Sequence, residues 1–323
     1  MYALAVVAVS TVPGVALMVL ILRMDRREPE PLGLVAKVIG LGAAGAIVAA
    51  LVELALDAAP LFHRGATSAL GGLAGAAAVS FIQIAPIEEA CKLAVVLLFA
   101  WGNPAFNEEN DGIVYVGASA LGFALLENIL FVAQGGIGTG VLRAFTSIPL
   151  HLFTGVVAGL FVGRARFAAP RARALLLLAG FGLAWLFHGL YDTLAMSQSA
   201  LALLLLPLLA GLIALGIAAL RKGRMASLLR WDGPAPAATK STPARRAPGW
   251  MAVTSRILLA GCALFWALLA VGIAEPGPGV ERGETILGGI LLTVIPASLG
   301  TILEVSYHKR QVESGRSCSI DKS

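Results

Sequence analysis

The chain has 323 residues, 58% of them hydrophobic and 13% charged, with a mean hydropathy of +0.85. Soluble globular proteins carry about 25% charged residues, so this composition excludes an ordinary soluble domain and places the chain among polytopic membrane proteins. The net charge of +5 is spread over loops between apolar segments, which argues for the lipid bilayer as partner and against nucleic acid.

In chain order, about nine segments approach the roughly 20 apolar residues that a membrane crossing needs. They run at 2–22, 33–57, 69–100, 113–134, 144–162, 174–195, 200–220, 253–274 and 285–304. The predicted fold class is therefore all-α, a polytopic membrane helical bundle. The first segment lacks a basic stretch before its apolar run and a clear small-residue cleavage site, so it reads as a retained span. The third is too long for one straight crossing. It is expected to run obliquely or break near Pro86, whose ring removes a backbone hydrogen bond.

Loop charge sets the expected orientation. Loops 23–32, 163–173 and 221–250 and the C-terminal tail hold most of the 24 lysines and arginines, whereas the opposite loops hold only Arg64, Arg143 and Arg282. The positive-inside rule then gives N-out and C-in. The segment 221–250, rich in Pro, Ala and Arg, reads as a basic, flexible cytoplasmic linker. It divides a core of seven spans, 1–220, from two further spans and a cytoplasmic tail, 251–323. Cys91, Cys262 and Cys318 fit no metal or disulfide spacing, and Cys91 reads as a small buried hydrophobe.

Ionisable groups inside spans are costly and mark function by default. Here they are Glu88, Glu89 and Lys92 on the third span, Glu127 beside Asn128 on the fourth, His151 on the fifth, and His188 and Asp192 on the sixth. Measured by helical rise, the two glutamates, Glu127 and both histidines fall within about 5 Å of their span middles, in one thin slab. Packed together, spans three to six would make them a single cluster. Imidazoles and carboxylates are the usual nitrogen and oxygen ligands of zinc. The same inventory also serves a proton or ion pathway.

Five segments resemble the PrsW family of intramembrane metalloproteases. They are MDRREPEPLG, IEEACK, FNEENDGIVYVGASALGFALLENILF, PLHLFTGVVAG and HGLYD, in the family's order over roughly residues 24–195. The resemblance implies a membrane-embedded protease core over 1–220 in a bacterial cytoplasmic membrane. Its substrates would be membrane proteins or peptides, an anti-sigma factor among the possibilities. By position, the resemblance carries over the paired glutamates Glu88 and Glu89, the FxxxEN motif with Glu127 and Asn128, both histidines, and the HxxxD motif with Asp192. On this basis Glu127, His151 and His188 are the expected ligands of zinc, with Glu88 or Glu89 as general base. Lys92 is expected to pair charge, Asn128 to stabilise an oxyanion, and Asp192 to orient His188. Gly155 and Gly159 would either line a substrate path or serve helix packing. The family is distantly similar to type II CAAX prenyl endopeptidases and to a scaffold subunit of γ-secretase. A metal-free glutamate/histidine hydrolase and a non-catalytic scaffold are thus the alternative readings.

Overall fold

The computed structural model describes residues 2–24, 28–58, 72–197 and 199–231, with Arg256 alone beyond them. The segments 253–274 and 285–304, expected as the last two spans, otherwise lie outside the described residues. Every regular element among the described residues is helical. Helix α1 spans Tyr2–Met24 and α2 spans Leu32–Asp57. A short α3, Gly72–Ala78, leads through a π-helical turn, Val79–Ile84, into α4, Ala85–Phe99. Then follow α5, Glu109–Phe145, α6, Ser147–Arg166, and α7, Pro170–Met196. A 3-10 turn, Ala200–Leu204, precedes α8, Leu205–Trp231. Among the described residues, four helical stretches are long and apolar enough to cross a membrane: Leu32–Asp57, Glu109–Arg166, Pro170–Met196 and Ala200–Trp231. The protein is an all-α membrane helical bundle.

The third segment breaks where the proline requires it. In the π turn Ala85 N–H bonds Ser80 O, five residues back. Pro86 has no N–H to extend that register onto Phe81 O. That carbonyl instead accepts a hydrogen bond from Trp185 Nε1 on α7, at 3.0 Å. The widened turn rotates α4 relative to α3 immediately before the acidic pair, and π turns of this kind are frequent at functional sites.

Two helices are longer than the hydropathy pattern implied. Helix α5 starts at Glu109 rather than near 113, because Glu108 and Asp111 form a reciprocal capping box around its first turn. Its far end continues past a break at Gly136, where φ is +78° and ψ −178°. Helix α8 runs on to Trp231, into the segment read as linker from 221. Its last indole bonds Glu108 Oε2 at 2.5 Å, tying the end of α8 to the start of α5.

Helix α5 is central, packed against α1, α2 and α6, while α6 also meets α7 and α8. The α5–α6 contact is made by small residues: a Cβ on Gly163 would collide with the Glu109 carbonyl, and one on Gly159 with Gly112 O and Ile113 Cα. Gly155 likewise faces Ala120 and Val116 on α5. Both Gly155 and Gly159 therefore serve packing. Cys91 packs beside Ala46, Ala49 and Phe123 as a small hydrophobe does, but is half-buried rather than buried.

Glu28 and Glu30 of the first motif piece meet FNEENDG and Tyr115 near the α5 N-terminus. Tyr115 donates to Glu30, and Asn107 Nδ2 donates to Glu28 Oε1 at 2.5 Å. These two contacts tie Glu28 and Glu30 to the start of α5.

Candidate active site: a buried polar cluster between four helices

The acidic pair sits on the first turns of α4, immediately after the π turn, with Lys92 one turn further on. Adjacent residues on a helix point about 100° apart, yet a lysine three and four residues on can reach both. Lys92 Nζ lies 2.8 Å from Glu89 Oε1 and 3.3 Å from Glu88 Oε2. Its third partner comes from α6: His151 Nδ1, at 2.7 Å. The ammonium is 1% exposed and lies 4.3 Å from the centre of the Phe123 ring. With three N–H groups and three acceptors, this buried charge is fully satisfied.

Helix α7 supplies the second imidazole. His188 Nδ1 lies 2.8 Å from Glu89 Oε1, while Nε2 faces Glu88 Oε2 at 3.7 Å and Asp192 Oδ2 at 3.3 Å. Asp192 stands one turn along α7 from His188. The two imidazoles meet edge to face, with ring centres 4.9 Å apart and planes at 90°.

Helix α5 supplies Glu127 and Asn128. Glu127 Oε2 lies 2.8 Å from His151 Nε2, a contact that is short but not well aligned. Its Oε1 is held by Arg143 at 2.8 Å. Asn128 is fully buried, and its Oδ1 accepts from Arg143 Nε at 3.2 Å. All eight residues singled out from the sequence therefore gather where α4, α5, α6 and α7 meet. Exposure within the cluster is graded: the side chains of Glu127, Asp192 and Arg143 are 19%, 18% and 15% exposed. Those three rim the site, and Lys92, Glu89 and His151 form its floor.

Two features were not read from the sequence. Arg143 had been counted only as a loop cation, yet it grips two residues of the cluster. Nothing local to LRAF marks it; the glycine-rich GGIGTG before it is the one signal of a chain reversal. The second is which donor atoms converge. The described residues whose donor atoms converge are Glu88, His151 and His188, all buried and within 4.8 Å of one another. Glu127, expected as a ligand, lies outside this group and is held by Arg143. Two nitrogen donors and one oxygen donor match a catalytic zinc site that keeps a position for water. Glu127 Oε2 and Asp192 Oδ2 border this set as buried oxygens without a well-aligned hydrogen bond, as expected where a cation or water belongs. The residues fit a divalent ion.

A family model described as PrsW family intramembrane metalloprotease matches residues 30–219. The chain is 33% identical to Protease PrsW of Geobacillus kaustophilus over 194 residues, covering 60% of this chain and 81% of that protein. It is 28% identical to Protease PrsW of Bacillus subtilis over 226 residues, covering 70% of this chain and 99% of that one. The corresponding protein of Oceanobacillus iheyensis is 35% identical over 128 residues, 40% of this chain and 59% of its own length. No solved structure matches the chain significantly.

Proposed function

Because the chain belongs to the PrsW family of intramembrane metalloproteases, we propose that it hydrolyses peptide bonds of membrane-protein substrates at the Glu88–His151–His188 cluster. The observation that carries this reading is the meeting of carboxylates and two imidazoles from four helices around one lysine ammonium, buried where the helices pack. Groups so costly to bury are retained for chemistry.

Glu88, His151 and His188 would hold the ion, the Nδ1 of His151 giving up its contact with Lys92 to do so. When bound there, zinc would supply an acidified water, available as hydroxide near neutral pH. Glu89 anchors the floor through Oε1, which meets both Lys92 and His188; Oε2 takes no part in these contacts and is the base that receives the water proton. The proton then passes to the leaving amine. Lys92 balances the paired carboxylates. Asn128, its amide oriented by Arg143 at Oδ1, donates to the developing oxyanion. Asp192 orients His188 from the rim.

The family suggests a bacterial cytoplasmic membrane and a membrane-anchored substrate such as an anti-sigma factor, while hydropathy and loop charge suggest about nine spans with N-out and C-in. One observation favours a second reading. The Lys92 ammonium already contacts His151 and both glutamates, which is what a metal-free glutamate/histidine hydrolase needs to balance its charge. In that scheme Glu88, more loosely held than Glu89, activates the water directly.

The test is cleavage of a co-expressed single-span reporter by wild-type protein and by Glu88→Gln, with and without chelator. Cleavage that needs both Glu88 and metal supports the first scheme; cleavage that needs Glu88 alone supports the second. A wild-type protein that accumulates and cuts no membrane substrate would make the cluster a scaffold's buried network instead.

A further inference from the structure

We infer that Arg143 is a positioning residue of the site, acting through Glu127 to fix the orientation and tautomer of His151. The inference deepens the proteolytic reading and rests on it for its consequence in catalysis.

Had α5 continued unbroken, Arg143 would stand about 24 Å along the axis from Glu127, sixteen residues at 1.5 Å each. The break at Gly136 turns the chain back, so that the guanidinium arrives 2.8 Å from Glu127 Oε1. There it is used on every side. Nη2 also donates to Ser147 Oγ at 2.9 Å, Nε donates to Asn128 Oδ1, and the guanidinium lies 3.8 Å from the centre of the Phe131 ring. A single-point cation could satisfy Glu127. Bridging Glu127, Asn128 and Ser147 together takes the planar fork of an arginine.

The effect reaches His151 by elimination of donors. An ammonium has no lone pair to offer, so at 2.7 Å from Lys92 the Nδ1 of His151 must be the acceptor. The ring proton is therefore on Nε2, the nitrogen that faces Glu127 Oε2. Arg143 holds Oε1 and thereby sets which way Oε2 points. A carboxylate fixed behind an imidazole, which sets its tautomer and aims the other nitrogen into the site, is a device that metal and acid–base centres depend on. Glu127 thus stands behind His151 and leaves the ligand position to Glu88.

The experiment uses full-length protein labelled with 15N-histidine, with the four histidines assigned by single substitution. Wild type, Arg143→Gln and Arg143→Lys are compared by histidine 15N shifts and by reporter cleavage. The expected result is a fixed Nε2–H tautomer for His151 in wild type, retained in Arg143→Lys and replaced by a tautomer mixture in Arg143→Gln. Cleavage should fall about 10- to 100-fold in Arg143→Gln and less in Arg143→Lys. An unmoved His151 signature in Arg143→Gln overturns the inference, whether or not cleavage falls, since the route through Glu127 would then be wrong. If Arg143→Gln does not accumulate, Glu127→Gln carries the same measurement against Arg143→Lys, with the same two outcomes. A wild type that cuts nothing while the signature still moves removes the proteolytic reading and leaves the positioning role standing. Active wild type with an unmoved signature does the reverse.

Discussion

Lys92 Nζ lies 2.7 Å from His151 Nδ1, and the same nitrogen meets both glutamates of the acidic pair. One cation from α4 is therefore shared between its own helix and α6. Replacing a single member of such a buried set leaves uncompensated charge, which typically costs about 3–5 kcal/mol. Lys92→Met is accordingly expected to lower the unfolding midpoint in detergent and to abolish cleavage. Lys92→Arg should not restore either, because a planar fork cannot aim three donors at three converging acceptors. A Lys92→Met protein as stable as wild type would remove the ammonium from its place at the centre of the cluster.

The adjacent glutamates are predicted to behave differently. Glu89 Oε1 has two partners at 2.8 Å, Lys92 and His188, and the residue is 1% exposed. Glu88 Oε2 has its nearest partners at 3.3 and 3.7 Å. Glu88→Gln should accumulate better than Glu89→Gln and still lose turnover, by about 10²- to 10⁴-fold if it is the base of the metal-free scheme. Glu89→Gln should lose activity and also about 1.5–3 kcal/mol of stability, as hydrogen bonds to charged partners weaken. Quantitative blotting beside a turnover assay separates the two. Equal stability of both variants would contradict the asymmetry.

That prediction draws on a distinction the sequence did not contain. The presence of Glu88, Glu89, Glu127, His151 and His188 at one depth was legible, because a charge in an apolar run is expensive and helical rise converts position into depth. The break near Pro86 was legible for a similar reason, since a missing N–H is a local fact. Pairing was not legible. Whether Glu88 or Glu127 joins the histidines depends on where Arg143 stands, and Arg143 reaches Glu127 only through the reversal at Gly136. Helix ends were also misjudged where side chains rather than apolarity set them, as at the Glu108–Asp111 cap of α5. Hydropathy reports the cost of burial and is silent on which partner offsets it.

Metal content follows from the Glu88–His151–His188 set. Purified wild type is expected to carry close to one equivalent of zinc, lost in a His151→Ala, His188→Ala double variant, by elemental analysis. Glu88→Gln should weaken binding more than Glu127→Gln, since Glu127 is engaged by Arg143. The opposite ranking would return Glu127 to the ligand set. Full cleavage after exhaustive chelation would favour the scheme in which Lys92 alone balances the carboxylates.

Gly136 combines φ +78° with an extended ψ of −178°, a region open to glycine and strained for other residues by about 1–3 kcal/mol. A Cβ there would meet no neighbouring atom, so the strain is purely conformational. Gly136→Ala should therefore leave the helices packed while shifting the corner that carries Arg143. The expected signature is a small drop in unfolding midpoint with a disproportionate fall in turnover. Gly138, which also has open space around a Cβ and keeps an ordinary φ, provides the control: Gly138→Ala should change neither.

Trp185 offers a test of the π turn itself. Its indole is 6% exposed and stacks beside Phe181, so Trp185→Phe preserves most of the ring packing while deleting one N–H. The carbonyl of Phe81 then loses the indole donor, and one lost hydrogen bond costs about 0.5–1.5 kcal/mol. If the turn relaxes toward regular α-helix to recover that bond, everything after it rotates by up to about 100°, the angle of one helical residue. Glu88 and Glu89 would then face the wrong neighbours. Trp185→Phe is thus expected to reduce turnover well beyond its effect on stability, whereas Phe181→Leu, which keeps the indole N–H, should cost packing alone. Equal turnover in these two variants would mean that the bond to Phe81 holds no catalytic register.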